Sequence, residues 1–447
     1  MKKIIVAGAG HGGIVAAYHL AKDGYDVTIY EQGEKGKLGH EQSDFIQPDS
    51  FEKSGIPIPE EYYVKRTPIT FCVLGTDIEP LVQENKPETF DVEIDRNALY
   101  SHLLSLAEEA GVKIVYNCRI EAPLTLGSRI VGIRTSCGDF YADLIIDACG
   151  VDSVLRSALP STFHIQQQAD KYDVLKVYRA YFGKNKGAAD CDYKFKVSLL
   201  PGEFCGITWV FTCEDSVDIL IGSLKELSQN DIEHYLNIHR NENFHLGNEL
   251  VKGGKVTSIP VRQPLAVMIA DGYAAIGDSA FMAIPINGSG IGCSMRAGKM
   301  LADCVKADKD GLFNCETLWK YQSDYFHEIG TRSCVLAVVK SFLLRIEQED
   351  MAYTFREQII SSKDFEKFYS VEGIVNFLTA LKPSDVRSRA KKVLNRSNFR
   401  KLLSDAAKDI TRFLIIETKF PEKYDSEAAA KWDEIYNGFF ESLIVNR

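Results

Sequence analysis

Hydrophobic and polar positions along the chain fall into four successive textures. The first begins at once: Ile4-Ile5-Val6 is a short apolar run ending near glycine, as a buried parallel strand would read. Ile14, Ala17, Tyr18 and Ala21 then recur at helical spacing up to Gly24, and residues 26–30 (DVTIY) return to strand character. Together they predict a β-α-β unit of about thirty residues. From Asp95 the positions Leu99, Leu103, Leu106 and Ala110 repeat at helical spacing and stop at Gly111, which predicts a helix. Strands are expected at 112–116, 130–135 and 141–148, with a turn at 136–139. Between 161 and 262 the pattern alternates and is rich in aromatics, predicting a mostly antiparallel sheet. Helical spacing with glycines resumes at 272–306, and beyond Leu312 the pattern is almost wholly helical.

This order predicts an α/β fold with one interrupted domain. Residues 1–65, 91–160 and 262–310 would form it, and residues 66–90 and 161–261 would form a β-sheet domain set into it. Residues 311–447 would follow as a helical region.

Composition narrows the class. The 447 residues are 45% hydrophobic, enough for a large core, and the net charge of −10 argues against nucleic acid as a partner. No apolar run approaches the ~20 residues that span a bilayer. The opening MKKIIVA has too short an apolar run for an export signal, so a cytoplasmic location is expected. The eleven cysteines are scattered singly and read as reduced thiols. No zinc-type His/Cys spacing and no G-x-S-x-G elbow is present, so neither a metal nor a serine nucleophile is expected.

The chemistry starts at Gly8-Ala9-Gly10-His11-Gly12-Gly13, between the first strand and the first helix. In G-x-G-x-x-G the first glycine allows the turn, the second lets backbone approach a pyrophosphate, and the third lets helix and strand pack. The anion then lies at the helix N-terminus, where free N–H groups and the dipole favour it. Glu31, with Gln32 beside it, ends the second strand, where an acid can accept the hydroxyls of an adenosine ribose. His11 reads as a spacer whose backbone matters. These features make a dinucleotide site and a Rossmann-like domain.

With three further stretches the chain resembles the FAD-binding flavoproteins of the p-hydroxybenzoate hydroxylase and geranylgeranyl reductase type. DRNALYSHLLSLAEEAGV (95–112) matches the helix whose arginine, here Arg96, reaches FAD; a plain surface arginine is the alternative. ADLIIDACGVDSVLR (142–156) matches the second fingerprint through Asp147, Gly150, Ser153 and Arg156. Cys149 stands where the hydroxylases carry aspartate, which argues against direct use of NADPH and tilts the reading toward reductases. As a residue, Cys149 reads as a small buried hydrophobe. GYAAIGDSAFMAIPINGSGIGCSMRAGKMLAD (272–303) matches the third fingerprint, in which Asp278 would bind the ribityl chain and Pro285–Gly290 would run along the flavin ring. The following helix points its positive end at the flavin edge that gains charge on reduction.

The resemblance implies a glutathione reductase-type FAD domain, an inserted substrate sheet and bound FAD. Cofactor contacts are expected from Gly8, Gly10, His11, Gly12, Gly13, Glu31, Gln32, Arg96, Ile120, Ala148, Gly150, Gly277, Asp278, Pro285, Gly288, Gly290 and Ile291. In the segment 36–45 the resembling reductases often carry a cysteine near the flavin; here His40 is the nearest candidate, as a proton relay or a surface-loop residue. Tyr181, Trp209 and Phe211, with Tyr178, suggest an aromatic sheet face that is either a substrate pocket or core.

The expected activity is an FAD-dependent oxidoreductase. The leading reading is a reductase or dehydrogenase that passes hydride through flavin N5 to or from an apolar small molecule, with unsaturated compounds among the candidates. The alternatives are a monooxygenase of small aromatics and a flavin-binding protein without turnover. NAD(P)H or an electron-carrier protein would be the donor. One basic stretch, 382–403, reads either as a solvated helix face or as a contact for anionic lipid or an acidic carrier.

Overall fold

Six strands in the order Ile269–Ala270, Tyr273–Ala275, Leu144–Asp147, Lys3–Ala7, Asp26–Tyr30 and Lys113–Val115 make the first sheet. Neighbours run parallel except for the outermost pair, 269–270 with 273–275. Its central strands are buried along nearly their whole length, which is why they read as unbroken apolar runs. The computed structural model describes residues 1–59, 67–83, 92–188, 193–200, 205–365 and 383–445. The boundaries expected near 65 and 90, part of the 66–90 segment, residues 201–204 and Lys382 lie outside the described residues.

Helix His11–Lys22 leaves the first strand and packs against helix Ile291–Ala307. The two cross at glycines: a Cβ on Gly298 would lie 2.5 Å from Gly12 O, and one on Gly12 2.6 Å from Ser294 O. This crossing joins the first and third fingerprints, which are separated by more than two hundred and fifty residues in the chain.

The second sheet has seven strands in the order Leu246–Pro260, Val174–Lys184, Ser216–Ser223, Gly206–Thr212, Phe195–Leu200, Ile69–Val73 and Leu81–Gln83. It is antiparallel except where 195–200 meets 69–73. One face is covered by helix Gln229–Glu242, whose Ile232 and Leu236 pack on Ala180, Phe182, Val210 and Ile219. That helix is absent from the sequence reading of 161–262, because three of its positions only (Ile232, Leu236, His239) are buried and the segment is otherwise polar.

The strand expected at 141–148 divides in two. Gly138–Tyr141 closes a three-stranded antiparallel sheet with Arg129–Thr135 and Ile120–Leu126, and Leu144–Asp147 joins the parallel sheet. Ala142 N donates to Val131 O, whereas Asp143 N donates to Lys3 O, so the chain changes partner between these residues. The strand Ile120–Leu126 was not anticipated; its half-exposed, irregular pattern hides the alternation.

The C-terminal helices form two groups. Ser426–Val445 is tied to the core by Trp432 Nε1 donating to Ala266 O at 3.0 Å and Tyr436 OH donating to Pro264 O at 2.8 Å. Helices Thr331–Leu343, Gln348–Arg356, Pro383–Val393 and Ser397–Glu417 lie over the free face of the seven-stranded sheet, where Met351, Phe355, Val393 and Phe399 meet Val73 and Leu81. Among the described residues, no helix is long and apolar enough to cross a membrane.

Candidate functional site

Between the two sheets lies one cavity of about 1830 Å³, lined from the glycine loop at one end to the C-terminal helices at the other. A single drug-sized ligand needs roughly 300–1,000 Å³, so this space holds a dinucleotide and a second molecule.

The glycine loop is built as its spacing demands. Gly8 has φ +86°, and a Cβ there would lie 2.7 Å from Ala148 O. A Cβ on Gly13 would press within 2.7 Å of Ala148 Cβ and 2.8 Å of Val6 Cγ1, so the third glycine sets the approach of helix to strand. The Glu31 carboxylate accepts from Ala9 N at 2.8 Å and from Gly33 N at 2.7 Å. Each oxygen keeps a lone pair for a ribose hydroxyl. At the head of the same helix His11 is buried, its ring centroid 4.2 Å from that of Tyr100, and its Nε2 has no hydrogen-bond partner among the described residues. Burial, then the charge of Arg96, pushes His11 well below the ordinary histidine range, so it is neutral. A cradle in which an added Cβ at Gly8 would lie 2.7 Å from Ala148 O, with the Glu31 carboxylate at its edge, fits a dinucleotide phosphate and ribose; the residues present fit FAD.

The other end of that half of the cavity is carried by Gly277–Ala280 and the head of helix Ile291–Ala307. Asp278 opens onto the cavity, and burial raises its pKa to about 6, with Arg96 opposing. Gly288, Gly290 and Ile291 line the space, as do Gly10, Gly12, Gln32, Ile120, Ala148, Gly150 and Gly277. Pro285 does not. Hydrogen bonds from Gly288 N to Ile284 O and from Ile284 N to Ser289 O, both 2.9 Å, fold this turn with Pro285 inward, and Ile286 and Asn287 face the cavity instead. Cys149 is half-buried at the lining with its Sγ 3.3 Å from Ala7 O, and burial holds its thiol well above the usual range. Beneath it Asp147 is fully buried and accepts from Ser153 Oγ at 2.5 Å, Tyr273 OH at 2.7 Å, and Cys149 N and Ser279 Oγ at 3.0 Å. That carboxylate joins the second fingerprint to the third.

His40 reaches the cavity from the 36–45 loop; burial, then Arg96, lowers its pKa. A chain of charges starts beside it. Arg96 Nε lies 3.3 Å from Asp44 Oδ2, and Asp44 Oδ1 lies 3.3 Å from an Arg179 amino nitrogen. Arg179 also donates to Asp218 at 2.7 Å, to Ser43 O at 2.7 Å and to Tyr181 OH at 3.1 Å, with Trp209 packed under it at 5.0 Å. Burial opposes the charge on Arg179; Asp218 outweighs it and holds the guanidinium above its ordinary value. Sequence reading missed Arg179, since a lone arginine in a strand carries no pattern.

Of the expected aromatic face, Trp209 lines the cavity and Tyr181 and Phe211 do not. Tyr181 is held by Arg179 and by Ser43 N at 3.1 Å, and Phe211 packs into a cluster with Ile69, Phe195 and Val197. Tyr178, an odd number of residues from Tyr181, faces the opposite side under the covering helix. The cavity-facing sheet residues are mostly aliphatic: Leu175, Val177, Val197, Ile207 and Leu220. The rest of the apolar lining, including Phe342, Met351, Phe355, Leu403 and Ile410, comes from helices to which the sequence reading assigned no site. The signal was present as the stripe Phe399, Leu403, Ile410, Leu414 at helical spacing. Two arginines of the basic stretch are ion-paired: Arg389 with Asp364 at 3.0 Å, and Arg396 with Asp350 at 2.6 Å and Glu349 at 3.0 Å. Among the described residues no group of three or more His, Cys, Asp or Glu could hold a metal ion.

Residues 6–39 match the NAD(P)-binding Rossmann-like domain family. The chain is 24% identical over 376 residues to a digeranylgeranylglycerophospholipid reductase of Sulfolobus acidocaldarius, covering 81% of each chain. It is 25% identical over 405 residues to the like-named protein of Methanothrix thermoacetophila, covering 85% of this chain and 96% of the relative. In shape it is similar to a geranylgeranyl bacteriochlorophyll reductase-like protein of Thermoplasma acidophilum, with TM-score 0.71, 18% identity, and 88% and 99% of the two chains covered. PqsL of Pseudomonas aeruginosa, described as a probable FAD-dependent monooxygenase, shares the fold at TM-score 0.58 and 17% identity over 79% of this chain and 99% of its own. Glycine cradle, ribose-side acid and fingerprints thus sit in the fold of known flavoenzymes, and the sequence similarity runs to the reductases: the chain is an FAD-dependent oxidoreductase similar to the geranylgeranyl reductase-like flavoproteins.

Proposed function

We propose that this enzyme reduces carbon–carbon double bonds in a long isoprenoid chain. The observation that carries the reading is the continuity of the cavity: beyond the cofactor end it runs between the aliphatic sheet face and mostly apolar residues of the C-terminal helices, to which Arg389 and Arg400 add the charged groups. A small aromatic substrate would leave most of that length unfilled. FAD, when bound, supplies hydride transfer at N5.

The chain's own residues bind, orient and exclude water. The glycine loop, His11 and Glu31 would hold the adenosine diphosphate half of FAD, and Asp278 would accept from its ribityl hydroxyls. Arg96, fixed by Asp44, would supply positive charge at that end of the cavity. The aliphatic sheet residues align the chain and keep water out. His40 lines the cavity beside the cofactor end and, in its protonated form, is placed to deliver the proton that the second carbon of the double bond needs, returning to the neutral ring. The carbon chain enters where Arg400, Ser404, Ala407 and Leu414 of helix Ser397–Glu417 line the cavity. Leu414 and Ile415 near the end of that helix are exposed at 43% and 60%, which supports contact of this end with a membrane surface.

The test is single-turnover. Photoreduced protein is mixed without oxygen with a geranylgeranyl lipid, and the product is weighed by mass spectrometry. Flavin reoxidation with a gain of two hydrogens per turnover is expected. A reduced protein that the lipid cannot reoxidise, but that hydroxylates an aromatic in air, would overturn the reading. Anaerobic titration with NADPH, and separately with a reduced carrier protein, identifies the donor.

A further inference from the structure

The three-stranded sheet carries a pair of cysteines outside the cavity. Strands Ile120–Leu126 and Arg129–Thr135 run antiparallel with Ile120 opposite Thr135. The ladder continues outward: Ser136 N donates to Arg119 O, and Ser136 Oγ accepts from Arg119 N, both at 2.9 Å. One step further the register sets Cys118 opposite Cys137. Directly opposed residues in an antiparallel pair have Cα atoms about 4.5–5.5 Å apart, inside the ~4.4–6.8 Å range that a disulfide spans. The two thiols are within hydrogen-bonding reach of each other. Cys118 Sγ also donates to Thr135 Oγ1 at 3.2 Å, and Cys137 Sγ to Asn117 O at 3.9 Å. Cys118 is fully buried and Cys137 is exposed, so an oxidant in solution meets Cys137 first.

The pair hangs on the cofactor's adenosine end. Cys118 N donates to Glu31 O at 2.9 Å, Asn117 N to Gly33 O at 3.0 Å, and Glu31 N to Val115 O at 2.9 Å. The Glu31 carboxylate in turn holds Ala9 N of the glycine loop. The strand supplying these bonds, Lys113–Val115, is the edge of the six-stranded sheet, where fraying is easiest.

We propose that Cys118 and Cys137 form a reversible disulfide that clamps the Glu31 loop and slows release of FAD. The Cys137 thiolate attacks one sulfur of a low-molecular-weight disulfide and expels one small thiolate. The Cys118 thiolate then attacks the Cys137 sulfur and expels the other. The two protons lost by the protein thiols are gained by the released thiolates, so one disulfide and two thiols yield one disulfide and two thiols. Cys137 lies in the exposed 136–139 turn and makes the movement that closes the bond, while two backbone bonds keep the Cys118 segment on the Glu31 loop. The cross-link therefore restrains the edge without displacing the acid.

The FAD-loaded full chain is incubated with oxidised glutathione and compared with Cys118→Ser and Cys137→Ser. In the wild type we expect loss of two titratable thiols, a Cys118–Cys137 cross-linked peptide, and recovery of both thiols with a reductant. Cys118→Ser should stop at a stable glutathione adduct on Cys137. Flavin fluorescence after dilution should show FAD leaving the oxidised wild type about fivefold more slowly, the low end of coupling between linked sites. Neither serine variant should show this change on oxidation. A wild type that accumulates the adduct without the cross-link would overturn the pairing. Equal FAD release from oxidised and reduced wild type would overturn the clamp. Neither readout depends on which substrate the enzyme reduces.

Discussion

Replacing Asp278 with asparagine should make the flavin-free protein more stable at neutral pH. The carboxyl group is packed under the head of helix Ile291–Ala307, where a Cβ on Gly290 would lie 3.4 Å from Asp278 Oδ1, and burial lifts its pKa from the usual 3.8 to about 6. Between those values the native state keeps a proton that the unfolded chain has lost. Stability therefore falls as pH rises through that window, and the whole penalty stands above about pH 6. A shift of about two units at ~1.36 kcal/mol each amounts to about 3 kcal/mol. That is a ceiling, because water entering the cavity solvates part of the carboxylate. Urea unfolding of flavin-free wild type and Asp278→Asn, run from about pH 4 to about pH 7.5, reads the effect directly. The two curves should coincide at the acid end and separate as pH rises, with the asparagine variant above. The same residue should be needed by the holoenzyme: Asp278→Ala should lose FAD on gel filtration while remaining folded. A variant less stable than wild type at about pH 7.5, or a gap that does not widen between about pH 4 and pH 6, would refute the assignment of a desolvated carboxylate.

Gly8→Ala meets both a φ of +86° and the carbonyl of Ala148 at 2.7 Å, so it should lose about 2 kcal/mol or more and retain no flavin, as thermal melts and absorbance would report. Asp218→Ala strips the main partner from buried Arg179 and should cost about 3–5 kcal/mol in chemical denaturation; a loss under ~1 kcal/mol would mean that Asp44 alone neutralises the arginine. Ala407→Trp fills the cavity beside helix Thr331–Leu343 and should lower kcat/KM at least tenfold for a geranylgeranyl chain, about 1.4 kcal/mol, while sparing a much shorter prenyl substrate. Equal losses on both lengths would show that the chain does not pass that helix.

The cofactor end was legible in the sequence because its physics is local. Backbone must turn sharply at Gly8, approach closely at Gly13 and place an acid one strand later, and each requirement falls on a residue at fixed spacing. Arg96 and Asp278 were legible for a related reason: they stand at helix heads and turns, where glycine and charge leave a mark on the chain.

The substrate end had no such spacing. Alternation announced a sheet, yet which face looked into the cavity depended on where the helix Gln229–Glu242 docked. Tyr178 went beneath that helix, Trp209 went to the cavity, and Tyr181 was taken up by Arg179. The chain of Arg96, Asp44, Arg179 and Asp218 joins residues far apart in sequence, and no local pattern predicts it. The apolar stripe of Ser397–Glu417 pointed to no site, because a helix that lines a cavity and one that fills a core bury the same residues at the same spacing. The sequence by itself determined most of the elements, the dinucleotide loop and the order of the fingerprints, all set by steric and hydrogen-bonding demands within a few residues. Only the tertiary structure decided where the cavity runs, how long it is and which charges meet beside it, because those follow from packing between elements that the chain leaves free until it folds.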